Sequence, residues 1–170
     1  MKLDVGCGAR GEGDVNSDVL LLKQENFVLS DAHFLPFKEG VFDTIQIFET
    51  LEHLSNPSQV LFEAKRCMRK GGVLVISVPN LWNVERILRW IKNENHLFKK
   101  LKTDTEHLQG WDIYEFNNLL SHIDLKIEKA EFWDRYENMR TTLFSKIANF
   151  ILPSALSKRH LKITARCRNE

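Results

Sequence analysis

Cysteine is scarce in this chain, and the scarcity excludes two architectures at once. Only Cys7, Cys67 and Cys167 occur. They lie too far apart for metal-ligand spacing or a disulfide framework, so a reducing cytoplasm is the expected setting. No apolar run is long enough to cross a bilayer. A secretory leader is not expected either, because the first residues already read as a core strand. There is no internal repeat, no low-complexity segment and no linker between the halves, so residues 1–170 read as one domain. Charge of one sign is missing too: the net value is +1. With no recognised RNA- or DNA-binding module, a nucleic-acid partner is not favoured.

The charge that is present is uneven. Residues 1–75 hold 8 Lys/Arg against 11 Asp/Glu, whereas residues 76–170 hold 16 against 12. Short apolar runs alternate with helical patterns, which predicts an α/β sheet. Lys2 to Val5 reads as a buried strand, and Phe27 to Leu29, Phe42 to Phe48 and Val73 to Val78 read as further strands. Asn56-Pro57 opens a helix with Val60, Leu61, Ala64, Cys67 and Met68 on one face. Gly71-Gly72 is expected to close it, with Arg69 and Lys70 near its C-terminal dipole. Further on, Leu81 to Ile91 reads as an amphipathic helix. Tyr114 to Ile123 reads as another, after an Asp112 cap. Leu125 to Glu131 and Leu161 to Cys167 read as strands. Between them Leu143, Ile147, Phe150 and Ile151 share a helical face that Pro153 ends.

The first strand runs into Gly6-Cys7-Gly8-Ala9-Arg10-Gly11, which fits G-x-G-x-x-G, and Asp31 lies 20 residues past Gly11. That is the dinucleotide fingerprint. It requires a helix from about Glu12 to Glu25, where Gly13, Val15, Asn16 and Ser17 are poor or indifferent helix formers. A pyrophosphate also needs a well-formed helix N-terminus. The rival reading starts from Asp4, an acid two residues before the first glycine. Beside a pyrophosphate it is unhelpful, but beside a cationic, phosphate-free ligand it is useful. On this reading Asp14 to Asp18 is already the next strand, and a tight loop replaces the helix.

LDVGCG, then NSD, then LSDAHFLPFKEGVFDTIQIFETLEHL, then RKGGVLVISVPN resemble, in order and spacing, the motif series of class I S-adenosylmethionine (SAM)-dependent methyltransferases. The likeness is greatest to the small-molecule branch. It is dense over residues 1–80 and loose over 81–170. It implies a Rossmann-like, doubly wound, seven-stranded sheet, mostly parallel with the last strand antiparallel. It also implies a cofactor-binding half at 1–80 and a lid and acceptor-side half at 81–170. Asp4, Gly6 and Gly8 would border the cofactor's methionine part, and Asp18 would hold its ribose. Asp31 would approach the adenine amino group, with Ala32 beside the ring. Phe48 and Glu49 would line the other side, and Leu51, Glu52 and His53 would border the methyl group's exit. Family members usually carry a helix before the first strand. Its absence ahead of Lys2 predicts an open cofactor site, or one closed by the second half or by another copy in a homo-oligomer.

Methyl transfer asks chiefly for alignment, which contributes up to roughly 7–11 kcal/mol in favourable systems. A base is needed only for a protonated acceptor, and His53 and His107 are the candidates. The segment 81–102, with six basic and two acidic residues, reads either as a lid helix with a solvated basic face or as a surface for an anionic or lipid-like acceptor. Phe98, Phe132, Trp133, Phe144 and Phe150 could build an aromatic pocket or simply core. Two alternatives stand beside a small-molecule methyltransferase: a SAM-binding regulatory subunit without activity, and a nicotinamide-dependent oxidoreductase. No metal is implied.

Overall fold

Strand alternation and register together explain where the core lies. The computed structural model describes residues 1–84, 86–88, 108–134 and 150–167. These form one seven-stranded sheet: β1 (Lys2–Val5), β2 (Val15–Asp18), β3 (Phe27–Leu29), β4 (Phe42–Phe48), β5 (Met68–Pro79), β6 (Leu125–Trp133) and β7 (His160–Cys167). Their order is β3-β2-β1-β4-β5-β7-β6. Pairs among β1 to β5 are parallel, and β7 runs antiparallel to both β5 and β6. The predicted Rossmann-like sheet is therefore present, with the last strand reversed. The order turns back between β1 and β4, which opens a crevice at the carboxyl ends of the strands.

Registration of Leu3 with Ile45, Ile45 with Leu74 and Leu74 with Ala165 puts these side chains on one face. Val5, Ile47, Ile76 and Ile163 form the next row. All eight belong to one buried cluster with Val60, Leu61, Ala64 and Cys67 of α1 (Pro57–Cys67) and Phe116 and Leu120 of α2 (Ile113–Ser121). Asn56 caps α1 by accepting from Gln59 N–H, and Pro57 fills the first turn, where its missing N–H has no partner to lose. The predicted Asp112 cap of α2 is a full capping box with Glu115. A short third helix, α3 (Ser154–Ser157), precedes β7.

The opposite face is polar. Asp4 pairs in register with Asn16 and with Gln46, and all three are buried. Where an apolar helix could have covered them, residues 6–14 form a loop. Its backbone N–H groups need acceptors, and the sheet face supplies them. Asp4 Oδ2 accepts from Glu12 N–H at 2.9 Å, and Asn16 Oδ1 from Gly13 N–H at 2.9 Å. Asn16 Nδ2 donates to the carbonyls of Gly13 and Glu25. The helix demanded by the dinucleotide pattern does not form, and β2 begins at Val15 as the rival reading requires.

Several boundaries differ from expectation, and α2 ends at Ser121, two residues short of Ile123. Gly71-Gly72 does not close α1. The helix stops at Cys67, and Met68 is already extended, registered with Phe42 at the start of β5. The pairing then jumps to Thr44 with Val73, so the glycines serve a bulge. Gly71 has φ +74°, and a Cβ on Gly72 would meet Met68 Cγ at 2.5 Å. The basic residues of the helix's last turn are accordingly Lys65 and Arg66, not Arg69 and Lys70. β6 reaches Trp133, two residues beyond its expected end. Of the expected 81–91 helix, residues 84 and 86–88 are helical and the remainder past 88 lies outside the described residues, as do Phe98, His107, Leu143, Phe144 and Ile147. Phe150 and Ile151 are helical but exposed, so neither joins a core face.

Candidate cofactor and acceptor site

The crevice takes its shape from the first two glycines. Gly6 and Gly8 adopt φ +67° and +57°, the left-handed region where a side chain is strained. A Cβ on Gly6 would collide with Thr50, so β1's exit packs directly on the turn after β4. A Cβ built on Gly8 would meet nothing within 4 Å. Open space facing a left-handed glycine at a strand's end allows a ligand to approach the backbone closely. Asp18 closes the far side: its carboxylate accepts from Gly8 N–H and Leu20 N–H, both at 2.9 Å. Gln24 staples the loop from behind, donating to Gly8 O and Cys7 Sγ and accepting from Gly11 N–H. Burial pushes the Cys7 thiol up to about 11, which leaves it unionised at neutral pH.

Asp4 behaves differently from Asp18 and Asp31. It is 1% exposed and holds Glu12 N–H, so its work is to tie the loop to the sheet. Asp31 lies two residues past β3 with its side chain 54% exposed. It accepts from His33 N–H at 2.8 Å and pairs with His33 Nδ1 at 2.6 Å, contacts that hold its carboxyl below the usual range. Ala32 beside it packs against the core.

At the end of β4, Phe48 stacks edge-on against Trp133 at 6.0 Å between centroids. Glu49 has φ +50°, uncommon for a residue with a side chain. Its carboxylate accepts from Ser77 Oγ at 2.5 Å and lies 3.4 Å from His160 Nε2. Leu51–His53 then form a single 3-10 turn. Leu51 joins the core, and Glu52 is 1% exposed. Burial, then the Glu49 charge, pushes the Glu52 carboxyl up to about 8. His53 is 39% exposed, with Nε2 3.9 Å from Glu52 Oε1.

Ser77, His160 and Gln24 were not singled out from the sequence. Ser77 lies in the RKGGVLVISVPN stretch near the end of β5 with nothing local to mark its partner, and His160 starts β7, which reaches this rim only because it runs backwards. His107, the other candidate base, lies outside the described residues.

A cationic nucleoside fits this rim on two counts. The space before Gly8 is open and bracketed by the Asp18 carboxylate. Among the described residues, five buried polar atoms lack a hydrogen-bond partner; Gln46 Nε2 lies within β4, and the other four, Ser30 Oγ, His33 Nε2, Glu52 Oε2 and Trp133 Nε1, lie at or just past the ends of β3, β4 and β6. Orphaned polar groups are costly to bury and rare, so their concentration at one rim marks a place where a ligand's groups can complete them.

Comparison with known proteins points the same way. A methyltransferase-domain family matches residues 12–76. The mitochondrial ubiquinone biosynthesis O-methyltransferase of Candida albicans is 29% identical over 144 residues, covering 64% of this chain and 44% of that protein. The demethylmenaquinone methyltransferase of Thermotoga maritima is 38% identical over 55 residues, covering 32% and 24%. The chain spans half or less of the length of the curated relatives it matches. Among solved structures, a SAM-dependent methyltransferase from Methanosarcina mazei superposes with a TM-score of 0.65 at 16% identity, covering 99% of this chain and 92% of that one.

Proposed function

Since this chain has the fold of the class I SAM-dependent methyltransferases, we propose that it transfers a methyl group from that cofactor to a small-molecule acceptor by direct in-line displacement. The observation that carries the reading is the left-handed Gly8 facing open space at the sheet's switch point, with Asp18 across from it. When bound, SAM supplies a methyl carbon activated by a sulfonium.

The chain's residues then have distinct tasks. Gly6 and Gly8 let the backbone approach the methionine part, and Asp4 acts on it indirectly by fixing the loop. Asp18 accepts from the ribose hydroxyls, with charge-assisted bonds stronger than those to a neutral oxygen. Asp31 and Ala32 flank the adenine. Phe48 and Glu49 line the opposite wall, and His53 faces the acceptor. We take the acceptor to be a hydroxylated aromatic ring of quinone type, which the names of two relatives and the Phe48–Trp133 pair support. Residues 81–170 would form the acceptor side. No described helix is long and apolar enough to cross a membrane, and the reading places the enzyme in the cytoplasm.

Thermal melts with SAM, S-adenosylhomocysteine and NAD test the cofactor. Stabilisation by the first two alone is expected, and stabilisation by NAD alone overturns the reading. Transfer of labelled methyl to a panel of catechols and hydroquinones tests the acceptor. Tight SAM binding with no transfer to any acceptor would favour the regulatory alternative.

A further inference from the structure

Glu52 stands apart from every other acid in the described residues. It lies in the turn that packs against the cofactor strand's exit, its side chain is 1% exposed, and Oε2 has no hydrogen-bond partner. A second carboxylate, Glu49, precedes it by three residues at the end of β4, with its own bonding directed to Ser77 and His160. Among the described residues, the other titratable or charged groups facing Glu52 are His53 on its own turn, 3.9 Å away, and Arg86 among the helical residues 86–88. Burial without a partner favours the neutral acid, and an adjacent positive charge reverses that preference.

We propose that Glu52 is a cofactor-gated base: it holds a proton in the free protein, releases it when the sulfonium cofactor binds, and then accepts the proton of the acceptor's nucleophile. This rests on the methyltransferase reading above and deepens it. The bookkeeping closes at each stage. On cofactor binding, the Glu52 carboxylic acid loses its proton to solvent and keeps the electron pair. As the acceptor's oxygen or carbon bonds the methyl carbon, its X–H bond breaks and Glu52 takes that proton. The methyl–sulfur bond breaks with its electron pair left on sulfur as a thioether.

The gate has a physical purpose. A carboxylate left ionised in a dry crevice would attract water and stray cations. One that ionises only beside the loaded cofactor is basic when there is a methyl group to move. It also explains Oε2, a buried acceptor atom with no hydrogen-bond partner among the described residues.

The experiment needs no known acceptor. Calorimetric titration of the wild type with SAM, in two buffers of different ionisation enthalpy, counts protons released per cofactor bound. At pH 7 an acid near pKa 8 that falls by roughly 1.5 units beside a cation releases about two-thirds of a proton. Wild type is expected to release that much more than Glu52→Gln, while Glu52→Asp keeps most of the release. Equal counts in wild type and Glu52→Gln overturn the proposal. Should Glu52→Gln not fold, Glu49→Gln replaces it. Loss of the neighbouring charge must move the pH of maximal release downward, and an unmoved maximum overturns the proposal. Failure of the wild type to bind SAM at all would instead sink the methyltransferase reading.

Discussion

Two acids three residues apart, Glu49 and Glu52, differ in their partners. Glu49 has Ser77 and His160, whereas Glu52 Oε2 has none among the described residues, and burial, then the Glu49 charge, pushes the Glu52 carboxyl up to about 8. The sign of the pH effect follows. A carboxyl whose pKa is higher folded than unfolded binds more protons in the folded state, so its contribution to stability falls as pH rises from about 4.5 to about 8. Urea unfolding should therefore show Glu52→Gln gaining stability relative to wild type at pH 9 but not at pH 4, by a few kcal/mol at most; parallel curves would refute it. Asp18→Ala removes an acceptor of charge-assisted bonds worth about 1.5–3 kcal/mol each. SAM affinity measured by calorimetry should drop at least about tenfold, with unchanged affinity in a folded mutant counting against the ribose assignment. Gly8→Ala has room for its methyl but not for its φ of +57°. It should cost about 1 kcal/mol of stability and weaken SAM through the filled space.

Among the elements, the glycine loop and α1's end were read with unequal success, for physical reasons. β1, β4 and β5 were legible because each holds an apolar run bounded by turn residues, and α2 because its capping box is local. The end of α1 misled because Gly71-Gly72 has the composition of a helix stop while serving a bulge four residues later. Local sequence cannot tell the two apart: what decides is that Met68 registers with Phe42, 26 residues away. The Glu49–Ser77–His160 contact was illegible for the same reason, since it joins three strands at a rim that only the topology defines. At this scale α2 offers a direct test. Asp112 accepts from Tyr114 N–H at 2.8 Å and Glu115 N–H at 2.9 Å, so Asp112→Ala should lower unfolding stability by about 1 kcal/mol. Phe116→Ala, in the core, should lose about 3–5 kcal/mol. If denaturant midpoints rank them the other way, α2 is held by its cap and not by its packing.

For the molecule as a whole, the sheet is built from two unlike faces. One carries the apolar cluster, and the other carries Asp4, Asn16 and Gln46 under a loop. Ligand binding should therefore matter to global stability. Saturation at 100 times Kd contributes about 2.7 kcal/mol, which for a chain of this size raises Tm by roughly 5–10 °C. SAM should produce that rise in a thermal melt, and NAD should not.

The loop over the polar face differs from a helix in how its amides are anchored. Gly8, Gly11, Glu12 and Gly13 each lean on a separate side chain: Asp18, Gln24, Asp4 and Asn16. A helical ladder frays as a unit, but separate tethers let go one at a time. Damage to Asp4 would slacken the Glu12 stretch alone, whereas damage to Gln24 would slacken Gly8 and Gly11 together.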